Sequence, residues 1–218
     1  MTALTPYSFA RVIPGLSSVR NVTCAYTAKQ GDNTVLRVIL EPWEYEHATL
    51  VGARRYTANW GKANAPWYRA ERMEDDRTAQ VAAAICELAV ARATNRYWSG
   101  HVWPASEHKA RRDTPDVGTN IEVRRVRTSK SAAVRKHQVG RGLVLFVAYA
   151  VPPEFREVEI LGSIGMDRAW ELGEPSSYDS EGTRLISPSH LTPLDGDNIW
   201  AMTKATLSTS SNVYTPSQ

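Results

Sequence analysis

Residues 116–124 read Asp-Val-Gly-Thr-Asn-Ile-Glu-Val-Arg, a turn-like stretch followed by alternating apolar and charged side chains. Because neighbouring side chains of a strand point to opposite faces, a strand over 120–126 would place Glu122 and Arg124 together on one face. Asp116 can reach the same face if the residues between them turn back. Two carboxylates beside a cation can hold a divalent metal over a phosphate. The same spacing also describes a solvated edge strand with a turn aspartate, and spacing alone favours that simpler interpretation.

A basic segment begins at the same strand. Residues 124–141 hold seven of the 26 lysines and arginines of the chain and no acid, although the net charge of the whole chain is only +3. Positive charge concentrated beside carboxylates suits contact with a nucleic-acid backbone. A solvated basic loop explains the composition equally well. If the segment binds nucleic acid, we expect the contacts to come from Arg125, Arg127, Lys130, Arg135, Lys136 and Arg141.

The remaining sequence predicts a single α/β domain. A length of 218 residues is enough for one sizeable core. Hydrophobic periodicity and helix-end signals predict strands over 35–40, 120–126, 143–150 and 158–161, and helices over 42–60, 77–94 and 166–172. This order predicts a mixed central sheet flanked by helices. We expect the domain to span 1–195, with its core at about 77–172, and the Ser- and Thr-rich residues 196–218 to form a flexible tail.

One glutamate and three tryptophans are expected at positions that pack against other parts of the protein. Glu87 lies in the alanine-rich helix, and its neighbours three and four positions away are all small or apolar. A carboxylate on such a face needs a partner, a metal or a proton. A buried glutamate bonded to a backbone group or an arginine satisfies the same pattern, and Glu87 alone favours that interpretation. Large aromatic side chains usually fill cores, so Trp43, Trp98 and Trp170 are predicted to be buried.

Taken together, the helix glutamate, the aspartate and the Glu-x-Arg strand resemble the PD-(D/E)XK nuclease superfamily over about residues 83–162. The longer stretch, which also includes the residues directly after the helix and directly before the strand, is similar to small members of that superfamily from phages and bacteria. The resemblance implies a restriction-endonuclease-like core, with the Glu-x-Lys strand on a hairpin, and hydrolysis of DNA phosphodiester bonds with Mg²⁺ or Mn²⁺. By position, Glu87 corresponds to the helix glutamate, with a catalytic role in holding a metal-bound water or completing the coordination shell, Asp116 to the metal-binding aspartate and Glu122 to the second carboxylate. The carbonyl of Val123 is implied as a further metal ligand.

Arg124 departs from this pattern, because it stands where the superfamily usually has lysine. Arginine can neutralise a phosphate in a transition state, but it is not deprotonated in proteins and is a poor general base. The departure leaves open whether the site is active or silent, and a third function is open beside these two. The chain is a metal-dependent nuclease in which Arg124 contacts the phosphate, a catalytically silent nucleic-acid-binding protein on the same scaffold, or a phage-encoded protein-interaction module.

Other cofactors and a membrane location are not indicated. The five histidines form no HxH or HxxxH pair and the two cysteines no CxxC, so no zinc site is expected. The glycine patterns of phosphate-binding and dinucleotide-binding loops are missing, so no nucleotide cofactor is expected. With no signal peptide and no apolar run long enough to cross a bilayer, we expect a cytoplasmic protein of a bacterial host cell, without a membrane partner. A homodimer is left open.

Overall fold

The fold begins with two strands that precede the first helix. The computed structural model describes residues 25–30, 33–59, 75–104, 106–127, 131–177 and 179–194. In it, β1 (Ala25–Gln30) and β2 (Asn33–Ile39) form an antiparallel pair. Helix α1 (Pro42–Ala58) follows, and its first turn is closed by a hydrogen bond of 2.8 Å from the Glu41 backbone N–H to Glu44 Oε2. The predicted strand over 35–40 and the predicted first helix are confirmed.

The alanine-rich helix packs closely against the first helix. Helix α2 (Asp76–Ala93) is capped by Asp75, whose Oδ2 accepts a hydrogen bond of 3.0 Å from the Thr78 backbone N–H. A Cβ at Gly52 would lie 2.4 Å from the Cα of Val81, so only glycine permits this approach of the two helices. The predicted second helix is confirmed, and its small side chains bring the two helix backbones together.

The strands form two sheets. The other elements are α3 (His108–Arg111), β3 (Ile121–Arg125), β4 (Ala132–Arg135), β5 (Val144–Ala150), β6 (Glu157–Gly165), α4 (Met166–Leu172), β7 (Glu174–Pro175) and β8 (Thr183–Ile186), with 3₁₀ turns at Lys136–Gln138 and Pro188–His190. The main sheet has the order β1-β2-β6-β5-β3, and the small sheet the order β4-β8-β7. In the main sheet only β3 and β5 are parallel. The chain is therefore mixed α/β with a mixed sheet, as predicted.

The strand that carries Glu122 does not lie on the hairpin that the resemblance implies. In the described part of the chain, β3 is at the edge of the main sheet and pairs in parallel with β5. The residues between them do not turn back directly, because 132–135 join the small sheet as β4 before the chain returns to the starting end of β3. The restriction-endonuclease-like core therefore stays a prediction.

Strand β5 is buried on both of its faces. Phe146 and Ala148 belong to a core between the main sheet and helices α1 and α2. Leu145 and Val147 belong to a second core that includes residues of β4, β8 and α4. A continuous apolar run is what a doubly covered strand requires, and the predicted buried strand over 143–150 is confirmed. The predicted helix over 166–172 is also confirmed, while β6 extends well beyond the predicted 158–161.

The tryptophan predictions are confirmed only in part. Trp98 is buried, and Trp170 packs against the second core. Trp43 is 66% exposed, so its predicted burial is wrong. It lies in the first turn of α1, away from the face on which Glu44 and Ala48 are buried. No helix among the described residues is long and apolar enough to cross a membrane. The predicted tail at 196–218 lies outside the described residues.

Candidate functional site

A tight turn brings Asp116 back onto strand β3. Val117 and Ile121 exchange two backbone hydrogen bonds, of 3.1 and 3.2 Å, across the intervening residues. Gly118 has a φ of 59°, in the left-handed region that glycine adopts without strain. Asp116 Oδ2 then accepts a hydrogen bond of 2.9 Å from the backbone N–H of Val123. The turn predicted between Asp116 and the strand is confirmed, and it fixes the carboxylate at the open edge of the main sheet.

One nitrogen of Arg124 lies among three oxygen atoms. Its Nη1 is 3.0 Å from Glu122 Oε2, 3.2 Å from the carbonyl oxygen of Val123 and 3.9 Å from Asp116 Oδ2. These oxygens belong to the three residues that the resemblance implies as metal ligands. Glu122 and Arg124 share a face of β3, as the alternation of a strand predicts. The structure therefore brings Asp116, Glu122 and the Val123 carbonyl together around a positive charge.

The rest of the Arg124 guanidinium is anchored by the segment that follows β3. Its Nε donates to the carbonyl oxygen of Ala133 in β4, at 3.1 Å, and its Nη2 donates to Oε1 of Gln138, at 2.7 Å. Gln138 is only 3% exposed. Sequence reasoning did not find this anchor, because a single glutamine in a basic stretch carries no signal of its own. The side chain of Arg124 is thus held at each of its three nitrogens.

Glu87 is bonded to an arginine of the first helix. Its two carboxylate oxygens accept hydrogen bonds of 2.6 and 2.8 Å from Arg55, and Oε2 also accepts one of 2.9 Å from Trp98 Nε1. Arg55 Nε in turn donates to the His101 carbonyl oxygen. Burial disfavours the charge of Arg55, but Glu87 outweighs it and raises the pKa of the guanidinium. The simpler interpretation of Glu87, a buried glutamate satisfied by an arginine, is confirmed. The pairing with Arg55 depends on the packing of α1 against α2, which the sequence does not specify.

The pKa of Asp116 is raised well above its ordinary value of 3.8. Desolvation is the largest cause, and the negative charges of Glu87 and Glu122 follow, whereas Arg124 and the Val123 N–H act in the opposite direction. The Asp116 side chain nevertheless keeps 25% of its surface exposed, against 4% for Glu122. Asp116 is therefore more accessible to solvent than Glu122, and the charges of both Glu122 and Glu87 oppose its ionisation.

The oxygen atoms around Arg124 Nη1 have the chemistry of a site for a hard cation. Mg²⁺ and Mn²⁺ prefer carboxylate and carbonyl oxygens, which are the atoms that converge here. Within the described ranges, no group of three or more His, Cys, Asp or Glu side chains could hold a metal ion. The set fits a divalent ion as two carboxylates and one carbonyl, with the guanidinium nitrogen marking the point that these oxygens surround.

The predicted basic contacts are not on one surface. Arg141 is bonded to Asp113 by its two terminal nitrogens, at 2.9 and 2.6 Å. Arg125 lies one position beyond Arg124 in β3 and interacts with Cys86 of α2, on the opposite face of the strand. Arg127 is exposed, and Lys130 lies outside the described residues.

Arg135 and Lys136 are exposed and line an open depression with His137 and residues of the 179–183 turn. Desolvation lowers the pKa of His137, and the charges of Arg112, Arg135 and Arg124 lower it further, while the charge of Asp113 acts in the opposite direction. This depression lies next to the small sheet, and its lining also includes the carboxylate of Asp179.

Comparisons with known proteins were made for the whole chain. Family models, curated proteins and solved structures gave no match. The correspondence of Glu87, Asp116, Glu122 and Arg124 to the PD-(D/E)XK pattern therefore stays a prediction from the sequence.

Proposed function

We propose that this chain is a nuclease-like protein that hydrolyses phosphodiester bonds of DNA at the site formed by Asp116 and Glu122, with Mg²⁺ or Mn²⁺ as its cofactor. The observation that supports this proposal is the convergence of two carboxylates and the Val123 carbonyl on one positively charged nitrogen at the edge of the main sheet. When bound, the ion supplies a Lewis acid that polarises the phosphate and lowers the pKa of the attacking water.

The residues of the chain divide the remaining work. Asp116 is oriented by the Val123 N–H and is the carboxylate that solvent reaches, so it offers the open ligand position. Glu122 is buried on the same strand, bonded to Arg124, and would provide the second carboxylate ligand. Arg124 supplies positive charge for the non-bridging phosphate oxygens, and it does not act as a base because arginine is not deprotonated in proteins.

Glu87 acts at a distance in this proposal. Both of its oxygens are engaged by Arg55 and Trp98, so it contacts neither the ion nor the substrate in this arrangement. It influences the site through its charge, which is among the causes that raise the pKa of Asp116. We therefore assign Glu87 a positioning role instead of the catalytic role that the resemblance implies.

The DNA backbone is proposed to follow the exposed cations beyond the site. Arg127, Arg135 and Lys136 are exposed, and phosphate contacts of this kind hold the backbone without reading sequence. Arg135 is the last residue of β4, the strand whose Ala133 carbonyl anchors Arg124, and Lys136 comes directly after it. The candidate site and the open depression are therefore connected through nearby residues of one segment, 133–136.

The test is cleavage of plasmid, linear and single-stranded DNA and of RNA in Mg²⁺, Mn²⁺ or EDTA. We expect metal-dependent cleavage by the wild type and a loss of at least about 100-fold in Glu122→Gln, because the substitution removes a ligand charge. Glu159→Gln is the matched control, since Glu159 is also a buried glutamate paired with an arginine, with 6% of its side chain exposed. Equal cleavage by Glu122→Gln and the wild type would contradict the proposal.

A catalytically silent nucleic-acid-binding protein is the second candidate. It is favoured by one observation, that Arg124 is bonded within the protein through all three of its nitrogens. In that case, binding to DNA or RNA falls steeply with salt while no metal or substrate gives cleavage. Neither cleavage nor binding, with a protein partner retained instead, would favour the interaction module.

A further inference from the structure

We propose that Arg124 is a resident counter-ion of the Asp116–Glu122 site, which competes with the divalent ion and is held in place by Gln138. The inference rests on the proposed function and concerns how the same site is loaded. It would explain why an arginine stands where a lysine is usual, since a planar guanidinium can bridge several oxygens at once.

The first support is the position of the charge. Nη1 of Arg124 contacts Glu122 Oε2 and the Val123 carbonyl oxygen and lies within ion-pair distance of Asp116 Oδ2. These are the oxygens expected to bind the ion. A second cation cannot approach them without repulsion and without competing for the same lone pairs. Loading therefore requires the guanidinium to leave or to turn away from at least two of these oxygens.

The second support is the separate anchor. Ala133 and Gln138 bind Nε and Nη2, and neither residue contributes a charge to the site. These bonds hold the guanidinium plane so that Nη1 points toward the oxygens. Gln138 is almost fully buried, so its amide has little freedom to follow the arginine. We infer that Gln138 is a positioning residue that sets how strongly Arg124 opposes metal binding.

The third support is the route that remains open. Arg124 keeps 21% of its side-chain surface exposed and Asp116 keeps 25%, so the side of the site that Asp116 occupies is reachable by solvent. A phosphate that arrives there offers the guanidinium bidentate partners as it leaves Glu122. Substrate and metal would then bind cooperatively, because the phosphate removes the charge that opposes the ion.

The experiment is a calorimetric titration of each protein with Mn²⁺ alone, in the absence of nucleic acid. We expect Arg124→Gln to bind Mn²⁺ at least about tenfold more tightly than the wild type, since the competing charge is gone. Adding Glu122→Gln to that variant should abolish the gain. Gln138→Leu, which removes the anchor but no charge of the site, should tighten Mn²⁺ binding by a smaller factor, about threefold.

Arg37→Gln is the matched control. Arg37 also bridges two carboxylates, those of Glu157 and Glu159, so its removal frees an equal number of negative charges. We expect no gain in Mn²⁺ affinity there, because Arg37 gives a separate nitrogen to each carboxylate, so the two do not converge on one point. An equal gain in Arg37→Gln would overturn the inference, since it would show a general effect of uncovered acids.

The outcomes separate the inference from the proposed function. Binding of Mn²⁺ by the wild type with no gain in either Arg124→Gln or Gln138→Leu overturns the inference and leaves the nuclease proposal standing. Absence of Mn²⁺ binding and of cleavage in every variant overturns both. If Arg124→Gln fails to fold, Gln138→Leu decides the question alone, since it keeps all the charges of the site.

Discussion

Two arginines of this protein each lie between two carboxylates, but they use their nitrogens differently. Arg37 gives one nitrogen to each partner, Nη1 to Glu157 at 2.8 Å and Nη2 to Glu159 at 2.7 Å. Both partners are on β6, and Arg37 on β2 lies directly opposite Glu159 in the antiparallel register. Such a cross-strand ion pair stabilises the sheet and needs no other explanation.

Arg124 instead turns a single nitrogen toward both carboxylates and a carbonyl oxygen. Its partners Glu122 and Asp116 come from the same strand and from the turn before it. The cluster lies on the edge strand of the main sheet, where solvent reaches Asp116. The comparison shows that the two acids diverge around Arg37 but converge on one nitrogen of Arg124, and our proposal interprets only the second arrangement as the place of a cation.

The largest expected effect is a loss of stability on substitution of Glu87, which belongs to neither the Arg37 nor the Arg124 cluster. Glu87→Gln removes the charge that neutralises Arg55, whose side chain is only 15% exposed, and should lower the free energy of unfolding by about 3 kcal/mol. If Glu87 acts only through its charge, Mn²⁺ affinity should fall less than tenfold. Chemical denaturation and calorimetry measure the two quantities on the same protein.

A fall of more than about 100-fold in Mn²⁺ affinity would show that Glu87 is a ligand, as the resemblance implies, and would join it to the Arg124 cluster. Glu44→Gln is the control, since Glu44 is another buried glutamate that pairs with an arginine, Arg92. It should lose stability in a similar way and leave Mn²⁺ affinity unchanged.

The two clusters also differ in how far they could be predicted from the sequence. Asp116, Glu122 and Arg124 lie within nine residues, so strand alternation and one turn place them together. The partners of Arg37 are about 120 residues away in the chain, and only the pairing of β2 with β6 brings them close. Local chemistry can be derived from a pattern, whereas contacts that depend on sheet order cannot.

The same distinction holds for the fold. Helices α1 and α2 and strands β3 and β5 are predictable because periodicity, caps and apolar runs are local signals. Strand β4 reads Ala-Ala-Val-Arg inside a polar segment, and it exists because β8, about 50 residues later, pairs with it. Because β4 is not predictable from the sequence, the parallel pairing of β3 with β5 is not predictable either. The same holds for the anchoring of Arg124 by Ala133 and Gln138.

A second prediction uses pH to sharpen the comparison. The pKa of Asp116 is raised in the folded protein, so folding favours its protonated form, and the associated stability is lost as the pH rises from 3.8 through the folded pKa. Asp116→Asn should therefore raise the melting temperature at pH 7 in EDTA. The difference should shrink as the pH falls toward 3.8, because the wild-type side chain is then neutral as well.

The Arg37 cluster provides the contrast. Glu159→Gln removes a charge that is directly bonded to Arg37, and should lower the melting temperature at pH 7. Thermal melts from pH 4 to pH 8 measure both variants. At neutral pH their melting temperatures should differ from that of the wild type in opposite directions. A lower melting temperature for Asp116→Asn at pH 7 would contradict the view that desolvation and the neighbouring carboxylates outweigh the stabilisation of its charge by Arg124 and the Val123 N–H.

The smallest expected effect concerns the cations beyond the site. Arg135→Gln and Lys136→Gln should each weaken DNA binding only modestly and reduce the slope of log K against log salt by about 1, because each removes one phosphate contact. Arg37→Gln removes an equal charge from β2, which is three strands away from β3 in the main sheet, and should leave the slope unchanged. Fluorescence anisotropy at several salt concentrations measures all three. An unchanged slope in both Arg135→Gln and Lys136→Gln would move the DNA contact away from the depression, and an equal change in Arg37→Gln would reduce the effect to net charge alone.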